Sequence, residues 1–275
     1  MDWHGNLPKE EVGKIILRIP NINNERFRLA IDINLFLINT DHLNNTNLIG
    51  AIECLDDARK RYSQIQYSLY EALTCVIWNR EFALQPCEKN AIFTGEYYLI
   101  YATLLMYAAA EDISAFIIHF MNINTDIKAF FESKKGKRKL EKEDVTSNAA
   151  KIGIYLFEKN RGHPITKIIL KLHKNSDWQK ALEYRNTWVH EKPPTIKGSG
   201  VEFTREKNVT VDANGNKFIT IKAPLQKYSI NDLCDIGLNV TEALAITLAE
   251  LAEIIINEKE VLQNNTFIQP SKDQQ

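Results

Sequence analysis

Cysteine is scarce in this chain. Four residues, at 54, 75, 87 and 234, form no Cys-x-x-Cys pair and no spacing that would gather metal ligands. Their scatter argues against a metal centre and fits reduced thiols in a cytoplasmic protein. An excess of charge of one sign is missing too. Lys and Arg number 34 against 35 Asp and Glu, a formal net charge of -1. No global basic field therefore announces nucleic acid, and any RNA contact must come from a local patch. The longest uncharged apolar stretch, Tyr97 to Ala110, stops at Glu111 and Asp112. It is too short for a membrane span and reads as a buried helix, so no membrane partner is expected. The start, Met1-Asp2-Trp3-His4-Gly5-Asn6, has neither the basic nor the apolar region of a signal peptide. There is no internal repeat, no Gly-rich phosphate loop and no His, Cys or acidic ligand set, so no cofactor or metal is expected.

What is present is an ordinary globular balance. At 275 residues, with 44% hydrophobic and 25% charged, the chain can hold one large domain or two small ones. Val12 to Ile19 and Phe27 to Leu37 are rich in Ile, Leu and Phe, and Pro20-Asn21-Ile22-Asn23-Asn24 between them is turn chemistry, so two strands are expected. A long helix is expected from about Leu48 to Phe82, because Ala51, Leu55, Ala58, Tyr62, Ile65, Leu69 and Leu73 recur at three- and four-residue steps. A second, apolar on nearly every side, runs from about Phe93 to Met121. Helical periodicity returns at Val145 to Phe157 and at Pro164 to Leu172. Val201 to Phe203, Val209 to Val211 and Phe218 to Ile221 switch to period two around Asn214-Gly215, the strongest short hairpin signal. Asn231 to Glu258 gives a closing amphipathic helix. The expected fold class is mainly α (α+β): a helical bundle with a small antiparallel β element, made by the N-terminal strands and a hairpin at 199–224. The expected division is N-terminal strands over 1–45 packed on a helical domain over 46–265, then a loose tail over 266–275.

The chemistry gathers in Arg185-Asn186-Thr187-Trp188-Val189-His190. This stretch closes a helix that begins near Ser176, where Ser176 and Gln179 have the spacing of a capping box. Pro193 and Pro194 block its continuation. On a wheel of about 100° per residue, Trp178, Ala181, Leu182, Trp188 and Val189 share one broad arc, and Arg185 falls inside it. Asn186 and His190 share the polar edge. A guanidinium on a core-facing stripe needs a partner, either a structural carboxylate or an external phosphate. Glu111 and Asp112, acids in an otherwise apolar helix, are candidate partners. A His at a helix C-terminus meets the negative end of the dipole. The dense basic run Lys134, Lys135, Lys137, Arg138 and Lys139 is either a nucleic-acid contact or a solvated connection.

Arg-Asn-x-x-x-His at a helix end resembles the signature of the HEPN superfamily of helical bundles. The resemblance covers roughly residues 47–190 and the C-terminal helix. It leaves the first 45 residues and the segment 199–224 unexplained. Lys192 stands where some relatives carry Tyr. The resemblance implies a metal-independent endoribonuclease acting as a homodimer, whose two motif helices form a composite cleft. In that scheme His190 transfers protons, Arg185 stabilises transition-state charge and Asn186 orients. It implies RNA as partner, an RNA-cleaving toxin or defence effector, and an antitoxin or regulatory partner. Two other classes stand beside it: a non-catalytic HEPN bundle binding RNA, a nucleotide or a protein, and a structural scaffold in which Arg185 is tied to a carboxylate and His190 caps the helix.

Overall fold

A computed structural model describes residues 7–32, 46–123, 148–191, 196–199, 207–211, 217–221 and 227–266. The described residues are mainly helical. In chain order they are α1 (Lys9–Arg18), α2 (Asn24–Ile31), α3 (Thr46–Ile77) with a π turn at Trp78–Phe82, and α4 (Glu88–Phe120). Then come α5 (Asn148–Lys159), α6 (Pro164–His173), α7 (Ser176–Asn186) with a π turn at Thr187–Glu191, β1 (Lys207–Val211), β2 (Lys217–Ile221) and α8 (Ile230–Thr266).

The two expected N-terminal strands are helices. Glu10 and Glu11 occupy the first turn of α1 and Arg18 its last, matching the helix dipole at both ends. Lys14 pairs back to Glu10 and Glu11. Asn23, read as part of a turn, is the N-cap of α2. Its side chain accepts from the backbone N–H groups of Glu25 and Arg26. Phe27 and Ala30, three apart, are then buried. Caps and a three-residue step outweigh the Ile, Leu and Phe content that suggested strands. Residues 33–37 of the second expected strand lie outside the described residues.

The long helices follow the spacing of their apolar residues. All seven expected core positions of α3, Ala51 through Leu73, are buried. So are Leu233, Ile236, Leu244, Leu248, Leu251 and Ile255 on α8. By length and composition α4 could cross a membrane, but 56% of its most apolar window is buried, as in a core helix. β1 and β2 pair antiparallel, with Lys207 opposite Ile221 and Val211 opposite Lys217. Among the described residues they form a two-stranded ladder with no N-terminal strand beside it. Among the described residues the composite sheet expected from the N-terminus and the hairpin is therefore not formed. Val201 to Phe203 and Asn214-Gly215 lie outside the described residues, as does the tail beyond Thr266.

The chain divides into two units. One comprises Met1–Ile19, Tyr67–Thr103 and Lys180–Leu238; the other comprises Pro20–Gln66, Leu104–Gln179 and Asn239–Gln275. In the second, the Tyr62 phenol and the Gln66 amide both donate to the Pro20 carbonyl at 2.7 Å. Arg26 Nε donates to Glu253 at 2.8 Å. Lys259 is 6% exposed. Its Nζ donates to the carbonyls of Leu29, Ala30 and Asp32 at 3.0, 2.7 and 3.0 Å. An ammonium with three donors thus caps the C-terminal end of α2, where the dipole is negative. Burial pulls its pKa below the ordinary lysine value.

In the first unit the α3–α4 connection is pinned at its π turn. Buried Asn79 donates to the Cys75 carbonyl at 2.8 Å, and its own carbonyl accepts from the Cys87 N–H at 2.9 Å. Arg80 forks onto Glu88 and reaches Asn231 Oδ1 at 2.7 Å. α8 opens with a reciprocal box. The Ser229 N–H donates to Asp232 Oδ2 at 2.8 Å, and the Asp232 N–H donates to Ser229 Oγ at 3.1 Å.

Replacing Lys259 with Met keeps the stem and removes three donors. Urea unfolding should show a loss of about 1–3 kcal/mol, the cost of leaving buried carbonyls dry. The bonds from Ser229 hold the Asp232 carboxyl below its ordinary value. Its contribution is therefore present above the unfolded pKa, about 3.9, and is lost as pH falls through the lower folded value. Asp232→Ala should cost about 1 kcal/mol near neutral pH, and the gap to wild type should close in strong acid.

Candidate functional site

The helix bearing the motif starts one residue earlier than its expected cap. Asn175 Oδ1 accepts from the N–H groups of Asp177 and Trp178 at 2.9 Å each. Gln179, expected in a capping box with Ser176, donates instead to the His173 carbonyl at 2.6 Å. The Asn175 side-chain oxygen thereby meets two of the free donors of the first turn.

Trp178, Ala181 and Tyr184, at three-residue steps, are buried at 1%, 4% and 2% exposure. They are packing residues, which removes Trp178 and Tyr184 from any role as an exposed aromatic surface. The Tyr184 phenol donates to Glu96 Oε1 on α4 at 3.1 Å. Burial, and then the Glu96 charge, push this phenol well above the ordinary tyrosine pKa. Glu96 was missed in the sequence. The signal was there: an acid inside a helix that is otherwise apolar over this stretch.

The next residue is Arg185, half-buried, whose Nη1 donates to Asn186 Oδ1 at 2.9 Å. Two motif residues are thus joined side by side. Directly after Asn186 the backbone widens into the π turn Thr187–Glu191. Thr187 Oγ1 donates to the Glu183 carbonyl at 2.9 Å, and Lys227 clamps the Glu183 carboxylate at 2.6 and 2.7 Å. In an unbroken α-helix, positions five apart are about 140° from each other. A turn with i→i+5 bonding brings such positions closer to one face. The backbone of position 190 lies inside this turn; the His190 side chain lies outside the described residues. The wider turn also breaks the arc expected on a straight wheel, and Val189 is 44% exposed.

The other expected residues fall elsewhere. The Asp112 carboxylate accepts from Arg61 Nε, and burial raises its pKa despite that partner. Glu111 and Asp112 belong to the second unit and Arg185 to the first. Lys134, Lys135, Lys137, Arg138 and Lys139 lie outside the described residues, as do Lys192, Pro193 and Pro194. Among the described residues no group of three or more His, Cys, Asp or Glu could hold a metal ion. His163, given no role from sequence, caps α6 by accepting from the Ile165 N–H at 3.2 Å. An open cavity of about 280 Å³ in the second unit is lined by mixed charges, with Asp177 already accepting from Asn239 at 2.9 Å.

No family model, no curated protein and no solved structure matches this chain.

Tyr184→Phe removes one donor from Glu96 without opening a cavity. Thermal or urea unfolding should register a loss of roughly 1–2 kcal/mol, as for a partly buried bond to a charged acceptor.

Proposed function

We propose that this chain is a metal-independent endoribonuclease of HEPN type, active as a homodimer. The observation that carries this reading is the Arg185–Asn186 pair at the point where α7 opens into a π turn. Such turns recur at functional sites, and the wider step of i→i+5 bonding supports a His at position 190 acting beside Arg185.

RNA supplies its own nucleophile. The 2′-OH attacks the adjacent phosphorus, the bond to the 5′-oxygen breaks, and a 2′,3′-cyclic phosphate and a 5′-OH result. One proton leaves the 2′-OH and one reaches the departing oxygen. His190 is the residue type for that transfer near neutral pH. The Arg185 guanidinium matches two phosphate oxygens as charge develops on them. Asn186 accepts from Arg185 and so sets the orientation of the guanidinium toward phosphate or ribose. One chain provides a single Arg and a single His. A two-fold dimer would double both and form a composite cleft. A toxin or defence effector, held by an antitoxin or another regulatory partner, is the setting this activity fits.

The test is cleavage of a mixed structured RNA in EDTA by wild type, Arg185→Ala and His190→Ala. Both variants should stay folded and dimeric and cut at least about 100-fold more slowly, the usual scale for losing a proton-transfer group. Equal cleavage by all three would overturn the assignment. RNA binding without cleavage by wild type would favour a non-catalytic HEPN bundle that binds RNA, a nucleotide or a protein.

A further inference from the structure

The aromatic side chains open to solvent are not on the motif helix. Between Ala91 and Thr103, α4 has three exposed positions, Phe93, Tyr97 and Tyr101, at 75%, 69% and 52% exposure. They recur every fourth residue and so form one line along the helix. On α3, by contrast, the exposed positions are polar except for the single ring of Tyr67, 61% exposed. Three large rings at the only exposed places of this stretch are not a solvated face.

We propose that this line is a stacking ladder for single-stranded RNA, which names the substrate form of the nuclease read above and rests on that reading. Four residues of helix rise about 6 Å. A base and a ring stacked at about 3.4 Å each repeat at about 6.8 Å, so rings and bases alternate with little strain. Exposed Lys89 stands one turn before Phe93 on the same line, a cation for the strand's phosphates. Tyr98 meets Tyr97 edge-on, with centroids 5.3 Å apart and planes at 85°, which holds that ring's orientation. The ladder is also tied to the motif. Glu96, beside Tyr97, accepts the phenol of Tyr184, the residue before Arg185. In-line attack by a 2′-OH requires a backbone freed from the A-form duplex, so the ladder and the chemistry select the same strand.

The test uses full-length protein carrying His190→Ala, so that RNA is not consumed. Binding of labelled oligouridylate, and of its duplex with oligoadenylate, is followed by anisotropy over a salt series. The triple variant Phe93→Leu/Tyr97→Leu/Tyr101→Leu keeps apolar bulk and helix propensity but removes the rings; thermal unfolding checks its fold. Should it unfold, Tyr97→Leu alone takes its place. Single-strand binding should weaken about ten-fold for each ring that carries a base. The slope of log affinity against log salt should not change, because the phosphate contacts remain. Duplex binding should be weaker in wild type and unaffected by the variant. Equal single-strand binding by the variant, or equal wild-type affinity for duplex and strand, would overturn the ladder. So would a variant that changes only the oligomeric state, which would make this face an interface between copies. Ring-dependent binding with no cleavage by the His190 form would keep the ladder and remove the nuclease.

Discussion

Burial of three- and four-spaced apolar stripes on α3, α4 and α8 is the constraint on which the rest of this protein depends. It dictates which polar groups are admitted to the interior and on what terms. Tyr62 and Gln66 enter by sharing the Pro20 carbonyl. Lys259 enters by satisfying three carbonyls at the end of α2. Tyr184 enters by donating to Glu96. Each bond contributes modestly when made and costs more when one partner is removed, because the group left behind has no water to turn to.

The long helices were legible because nothing interrupts their period. The seven α3 positions and six α8 positions picked out by spacing are all buried. The N-terminal helices were not, because residue type and local contacts disagreed there: Ile, Leu and Phe around a turn-like segment argued for strand, while Asn23 and the end charges of α1 argued for helix. The short-range polar contacts decided. At the motif, the Arg, Asn and His and their helix end could be read directly. The π turn could not, since a straight wheel assumes a constant angle per residue. That is why Val189 was placed on the buried arc and is exposed. The same assumption hid the true cap: Asn175 does the work assigned to Ser176 and Gln179.

Charge in this protein is local. Acid and base nearly cancel over the chain, and many described ion pairs, such as Lys227 with Glu183 and Arg80 with Glu88, are consumed in holding connections. A ligand drawn by long-range attraction is therefore poorly served. A ligand recognised at close range, by a fork of hydrogen bonds or the face of a ring, is better matched to what the surface offers.

The Lys259 cap also sets an order of events. α2 lies near the beginning of the second unit, and its carbonyls are satisfied by a residue some 230 positions later. Arg26, on the same helix, finds Glu253 at a similar remove. While the chain is being synthesised, only water can meet the carbonyls at the C-terminal end of α2 until the last helix emerges. Contacts so distant in sequence are slow to close, since loop entropy must be spent before they return anything. The second unit is thus completed only when nearly all of the chain has been made. A prematurely terminated chain would expose an uncapped helix and a bare apolar stripe, the features that quality-control systems recognise.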